Sequence, residues 1–451
     1  MKFSLRHKSS GWLYPYIVPT GHLMLRGFLQ KMYVNNREGV PTDKPVLLAA
    51  NHPTAFIDPF LLCTHLDAPL YNMTRGDIFR KPLARNFLES INMFPVYRSR
   101  DGYNQRNRND EVFDFCVAKL REDQVVTIYV EGEHHLEKRV RPIQKGVALI
   151  AFRALEEAGI TELLIIPAGC NYVYGDQPRD TALVNIGQPI PVQAYAPAYR
   201  HDPKAAIAQL SADIESALRT VCFHIENPAD DALAERLLEL HRSDHPWQLL
   251  PIVEFKHPRF AAEKAVLDRL NDMPEPEKTA LRTRVDAYFS ALETAGTDDF
   301  SLCNAHQGHL AWALYFLLFF PAFMVGRISS WPVRATGRWA AGRFAKKREF
   351  KSSIWLGAGY VTGMFYYFLL AVVSLFTWNP RIIALAFALP ALGWYGMHYR
   401  EHFRRWWGMR RALALPNRNA LLELRRGIIQ PPLTSDTAVA ATGVSSSTTN
   451  P

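Results

Sequence analysis

Between about residues 44 and 172, short apolar runs alternate with longer stretches of helix-like spacing: KPVLLAA, PFLLCTHL, NMFPVYR, EVFDFCVAKLRE, VVTIYVEG, GVALIAFRALEEAG and ELLIIPAGCNYVYG in turn. Continuous apolar runs rich in β-branched residues suit strands covered on both faces, and the spacing between them suits amphipathic helices. The pattern predicts an α/β domain with a largely buried β-sheet flanked by helices. From 201 to 305 the pattern changes to apolar residues three and four apart with charges between, as in DPKAAIAQLSADIESALRTVC, DDALAERLLELHR and PRFAAEKAVLDRLNDM, which predicts a helical extension.

Beyond that point the chain turns apolar. Segments 310–328, 354–376 and 382–397 carry almost no charge, and the second exceeds the roughly 20 residues that a membrane crossing requires. Trp331, Trp339, Trp378, Trp394, Trp406 and Trp407 rim them, where interfacial aromatic belts lie. Seven basic residues against one acidic lie between Arg334 and Lys351, and five against one between Arg400 and Arg411. Both rims would therefore face the cytoplasm, which makes the second and third segments a hairpin and places the catalytic domain on the cytoplasmic face of an integral membrane protein. Pro321 in LLFFPAFMV suggests that the first segment dips in and returns to its own side.

The expected organisation is an N-terminal, partly interfacial helical segment over 1–43, a catalytic domain over 44–200, the extension over 201–305, a membrane-embedded region over 306–411, and a short helix with a disordered Ser/Thr-rich tail over 412–451. Length allows this, at 451 residues. The formal charge of +9, from 52 basic and 43 acidic side chains, suits a membrane surface or a phosphorylated substrate and is no nucleic-acid signature. The five cysteines show no paired spacing, so neither a disulfide framework nor a metal site is expected, and MKFSLRHKSSGW does not open as a secretory signal.

The candidate chemistry begins at NHPTAFIDP. His52 follows the apolar run VLLAAN and Asp58 precedes Pro59, so the expected arrangement is a strand end, a turn, and a helix with Asp58 at its N-cap and Pro59 at its first position. On a continuous helix two side chains six residues apart would point about 120° away from each other, so only the turn can join them. An imidazole oriented by a carboxylate can deprotonate an alcohol directly. Alone, the pair also fits an ordinary turn histidine and helix cap. Further along, Arg98 and Arg100 leave an apolar run, with Arg75 and Lys81 upstream, as a phosphate-binding set or a solvated basic face. Glu131 and Gly132 follow a β-rich run, Gly146 opens a helix, and LLIIPAGCNYVY reads as a strand ending at Pro167.

These four blocks, in this order, resemble the glycerol-3-phosphate and 1-acylglycerol-3-phosphate acyltransferase superfamily. His52 and Asp58 match its first block, residues 94–98 its second, Glu131 and Gly132 its third, and Ile166 with Pro167 its fourth. The likeness covers about residues 20–200. Five residues, PTAFI, separate His52 from Asp58 where most members have four, and His135, Pro142 and Gly146 hold further subgroup positions. Both features resemble the fungal-type glycerol-phosphate and dihydroxyacetone-phosphate acyltransferases and their bacterial relatives. Glu133 and His134 stand where the family's threonine and arginine are usual, so Arg139 or Lys145 would have to supply any phosphate contact there.

The resemblance implies that His52 and Asp58 are catalytic and that Arg98, Glu131, Gly132, Lys81, His135 and Lys145 bind substrate, with Pro167 shaping the acyl pocket. It implies no metal and no resident cofactor. The donor would be acyl-CoA or acyl carrier protein, the acceptor glycerol phosphate or lysophosphatidate, and membrane lipids the surroundings, with backbone amides of the turn stabilising the oxyanion. The competing readings are acylation of another lysophospholipid and a membrane scaffold without turnover.

Overall fold

A computed structural model of the chain describes residues 11–96, 105–246, 248, 250–305 and 309–429. Arg98, Arg100 and the C-terminal tail lie outside them. Nine strands form one sheet: β1 Lys31–Asn35, β2 Val46–Ala50, β3 Leu70–Arg75, β4 Met93–Val96, β5 Val125–Tyr129, β6 Leu164–Tyr172, β7 Thr181–Ile186, β8 Ile190–Pro191 and β9 Val253–Phe255. Their order is β4-β3-β5-β2-β6-β7-β1-β9, with β8 paired to β6. Two parallel blocks, β4-β3-β5-β2-β6 and β7-β1-β9, meet antiparallel where β6 pairs with β7.

The sheet is covered on both faces, which is why its strands read as unbroken apolar runs. Along β2, Leu47 and Ala49 face one core with Val112, Cys116 and Leu120 of α4 (Gln105–Arg121), Ile150 of α5 (Gly146–Phe152) and Leu210, Ile214 and Leu218 of α7 (Pro203–Val221). Val46, Leu48 and Ala50 face the other, with Leu25 and Phe28 of α1 (Tyr14–Phe28) and Leu61 and Leu62 of α2 (Ile57–His65). The two-residue period of a strand divides one apolar run between two cores.

Several expectations change. The segment up to residue 43 is not helical throughout, because Lys31–Asn35 adds a strand between β7 and β9. The α7 segment, expected in the helical extension, packs under the sheet, and Val253–Phe255 returns to it as β9. Residue Pro167 does not end its strand: β6 runs five residues further. On one side of β6, pairing passes from β8 at Leu164 and Ile165 to β7 at Ala168, so Pro167 falls in the gap, where a missing N–H costs no ladder bond.

The remaining helices are α3 Pro82–Glu89, α6 Ala196–His201, α8 Asp231–Asp244, α9 Arg259–Asp272, α10 Glu275–Ala295, α11 Asp299–Cys303, α12 His309–Ser329, α13 Trp331–Phe344, α14 Lys351–Leu375, α15 Pro380–Leu413 and α16 Arg418–Ile429. The chain divides into two compact units, one comprising residues up to Glu226 with Gln248–Ala261 and Ala322–Gly396, the other comprising Asn227–Trp247, Ala262–Pro321 and the chain from Met397. Inside the second, Arg425 is buried and donates to Asp299 at 2.7 and 3.2 Å, while Asp230 takes Lys278 at 3.0 Å and Arg282 at 2.7 Å. Leu310–Ser329, Arg348–Leu375 and Pro380–Leu413 are long and apolar enough to cross a membrane. The first is one unbroken helix through Pro321, so the chain does not reverse within it as expected. A helix-interior proline removes one i to i−4 bond, and this helix continues without it.

Gly169 lets β6 and α7 approach: a Cβ there would meet the Val221 carbonyl oxygen at 2.0 Å. The backbone has no room to yield, so Gly169→Ala is expected to cost about 1–3 kcal/mol by overpacking, read as a fall of several degrees in apparent Tm in detergent. An unchanged Tm would show that α7 is not pinned there.

Candidate active site

The site forms where β2, β5 and β6 end. These strands are mutually parallel, with Ala50 opposite both Tyr129 and Ala168, so the residues that follow them emerge side by side. Asn51 fixes the first exit: its side chain donates to the Cys170 carbonyl at 3.0 Å and accepts the Cys170 amide at 2.7 Å. The chain then turns through Pro53–Phe56 into α2.

Within that turn His52 Nδ1 lies 2.8 Å from Asp58 Oδ2. The carboxylate is wholly buried and accepts three further hydrogen bonds, from the Thr54 amide at 2.8 Å, the Thr54 hydroxyl at 2.8 Å and the Tyr172 hydroxyl at 2.6 Å. A buried carboxylate is tolerated when its lone pairs are filled in this way. Because Asp58 can only accept, Nδ1 carries the imidazole proton and Nε2 remains as the ring's acceptor. The predicted pair is therefore brought together by the turn. Its helix, however, starts at Ile57, placing Asp58 inside the first turn with its carboxylate directed back to Thr54 and His52. It serves the dyad, not an N-cap.

The imidazole has ring neighbours on two sides. Tyr129 stacks on it at 3.8 Å between centroids, and His134 meets it edge-on at 4.1 Å. Glu131, also buried, accepts from the Arg141 amide at 3.1 Å. Burial pushes its carboxyl up to about 7, against the lowering effect of the nearby Arg141 and His52 amides. Gly132 beside it has φ +71°, a left-handed conformation that favours glycine, and its amide closes the turn onto Tyr129.

The other predicted residues separate. His135 turns from the dyad toward Glu133 at 3.7 Å and Glu137 at 3.8 Å, and its pKa is lowered, first by burial and then by Arg141. Its neighbour His134 is the one that meets the His52 ring. Lys81 and Lys145 are exposed, at the N-caps of α3 and α5. Arg75 forms a two-pronged pair with Asp77, and Arg139 donates to the Ile225 carbonyl at 2.8 Å. Pro167 packs on Gly187, where a Cβ would lie 2.6 Å from its ring. The turn amides of Thr54 and Phe56 are engaged by Asp58 and the Ser353 hydroxyl, and Pro53 has none.

Thr54, Tyr129, His134 and Tyr172 were missed. Thr54 lies inside NHPTAFIDP, but a threonine four residues before a proposed cap reads as a turn residue. Tyr172 was lost because Pro167 was read as a strand end.

A family model described as Acyltransferase matches residues 31–171, from the first residue of β1 to the penultimate residue of β6. That segment is similar to the acyltransferase family over its whole length. The chain is 28% identical over 120 residues to glycerol-3-phosphate O-acyltransferase 2 of Saccharomyces cerevisiae, covering 26% of this chain and 16% of the yeast protein. It is 28% identical over 113 residues to glycerol-3-phosphate O-acyltransferase 1 of the same yeast, covering 24% and 15%. The chain thus spans a small part of these relatives' length. A crystal structure of the 1-acyl-sn-glycerophosphate acyltransferase of Thermotoga maritima aligns with 48% of this chain and 83% of its own, at TM-score 0.33 and 15% identity. His52, Asp58, Glu131 and the strands that carry them all lie inside the matched segment.

Two outcomes test the site. Tyr172→Phe removes one hydrogen bond to the buried carboxylate, so kcat of whatever step uses His52 should fall about tenfold or more, from about 1.5–3 kcal/mol for a charged hydrogen bond; an unaltered kcat would make that bond incidental. Glu131 has a raised folded-state pKa, so it contributes stability fully present below its ordinary 4.5 and lost as pH rises to about 7. At 1.36 kcal/mol per pH unit the loss amounts to about 3 kcal/mol across that window. Melting curves of Glu131→Gln should be flatter than the parent's there, and parallel curves would refute the assignment.

Proposed function

We propose that this chain is a membrane-bound O-acyltransferase that moves a fatty acyl group from a thioester onto a hydroxyl of glycerol 3-phosphate, a step toward phosphatidic acid. The observation that carries the reading is the disposition of hydroxyls around His52. The Thr54 and Tyr172 hydroxyls both donate to Asp58, which leaves Nε2 of His52 for a hydroxyl brought by substrate. The acceptor O–H proton passes to Nε2 as its oxygen attacks the thioester carbonyl; the ester C–O bond forms, the C–S bond breaks, and the departing thiolate recovers the proton. Asp58 holds the ring's orientation throughout and stabilises the imidazolium.

The two yeast relatives, both named glycerol-3-phosphate O-acyltransferases, favour glycerol 3-phosphate over dihydroxyacetone phosphate or 1-acylglycerol 3-phosphate. The donor is acyl-CoA or acyl carrier protein. Three apolar helices support residence in the membrane, where donor and product partition. The basic Lys346, Lys347 and Arg348 precede α14, and the opening of this span bonds to Phe56, Gly175 and Asp176. Positive-inside bias at that end argues for a cytoplasmic acyltransferase domain.

Membranes holding the parent or His52→Ala, offered acyl-CoA with each of the three acceptors, decide it. The parent should acylate glycerol 3-phosphate, and the variant should lose about 100- to 10,000-fold in rate, the usual contribution of a general base. Equal rates in both would leave a protein that binds lipid without this chemistry.

A further inference from the structure

The opening of α14 lies well beyond the acyltransferase domain in sequence, yet it reaches the dyad's surroundings at three places within one compact unit. Phe350, the residue before the helix, meets His134 edge-on at 5.0 Å and 85°. His134 in turn abuts the His52 ring. Three residues later the Ser353 hydroxyl accepts the Phe56 amide at 2.9 Å, in the turn that carries His52 round to Asp58. Just beyond Tyr172, the Ser352 hydroxyl donates to the Gly175 carbonyl at 2.7 Å, and Arg348 donates twice to Asp176 Oδ2, at 3.1 and 3.0 Å. Ser352 and Ser353 are each 1% exposed, so the bonds of these two hydroxyls are sheltered from water, while Arg348 lies exposed.

We propose that Phe350 and Ser353 are positioning residues for His52, so that the first turn of an apolar, membrane-competent helix forms the outer wall of the active site. Asp58 fixes one edge of the imidazole and Tyr129 one face. The remaining restraint comes from His134, whose far side rests on Phe350. Without Phe350, His134 can swing, and the His52 ring gains freedom about its bond to Asp58. Without the Ser353 hydroxyl, the Phe56 amide loses its acceptor and the turn relaxes. A displacement near 1 Å at a reacting group costs about 100-fold in rate, so a wall that touches no substrate acts on kcat. This inference rests on the acyl-transfer reading for its kinetics and on side-chain geometry alone for its second readout.

The test uses the full chain in lipid nanodiscs, with acyl-CoA and glycerol 3-phosphate as the probes. Phe350→Ala should lower kcat by about 10- to 100-fold while both KM values stay within about twofold, and Phe350→Tyr, which keeps the ring, should recover most of the rate. Ser353→Ala should lower kcat by about tenfold and Ser353→Thr restore it. Phe365→Ala, on the exposed part of the same helix, should match the parent. In parallel, carbethoxylation of His52, followed by mass spectrometry, should quicken several-fold in Phe350→Ala. Should Phe350→Ala fail to fold, the Ser353 pair decides. Parental kcat in both alanine variants, or a loss confined to KM, would overturn the wall. A parent inactive on every acceptor, with carbethoxylation still faster in Phe350→Ala, would sink the acyl-transfer reading and leave the wall in place.

Discussion

A carboxylate with no access to water sits at the centre of this structure, and much of the surrounding fold exists to satisfy it. Asp58 is buried completely, and an ionised group in that position costs several kcal/mol unless donors surround it. Thr54 supplies two donors from the turn, Tyr172 one from the end of a different strand, and His52 the fourth. None of these can be moved without exposing a charge to apolar surroundings. The requirement locks the turn, the length of β6 and the tautomer of His52 together. An imidazole held with Nδ1 protonated and Nε2 open is the chemical product of that lock.

The sheet topology makes the lock possible. Parallel pairing of β5, β2 and β6 brings three carboxyl ends to one edge, the usual place for sites in open α/β sheets. His52 follows β2, Glu131 follows β5 and Tyr172 closes β6. The reversal between β6 and β7 happens only after Pro167, so the proline marks the point where one neighbour gives way to another along a strand that continues. Glu131 adds a second buried carboxyl a short distance away.

A membrane-competent helix and the turn that joins His52 to Asp58 meet at the start of α14. In the unit containing the sheet, the helix contributes Leu356, Trp355 and Tyr360 to the same core as α1 and α2. The apolar surface that it leaves uncovered further along, at Phe365, Phe368 and Leu369, is of a kind that water does not tolerate over such an area. One helix therefore packs as protein at its beginning and leaves an apolar surface uncovered beyond.

How much of this could be read from the chain depends on how local the signal was. Apolar runs and three-four periodicity located β2, β4, β5, β6, α2, α5 and the three apolar helices, because burial on two faces or contact with lipid leaves its mark on contiguous residues. His52 and Asp58 were legible too: a turn between a strand and a helix is the only local geometry that joins side chains six residues apart. Strand β1 and β9 were not, since each owes its place to partners roughly 150 to 220 residues distant, as the pairings Tyr33 with Leu183 and with Glu254 show. Nor was the choice of His134 over His135, which only the path of the loop after Gly132 decides, or the role of Tyr172, which depends on how far a strand continues past a proline. By itself the sequence determined which residues could do chemistry and which segments could be buried. Tertiary structure decided which hydroxyls fill the lone pairs of Asp58, and which distant helix presses on the ring that it orients, because buried charges and close-packed rings select their neighbours in space and not along the chain.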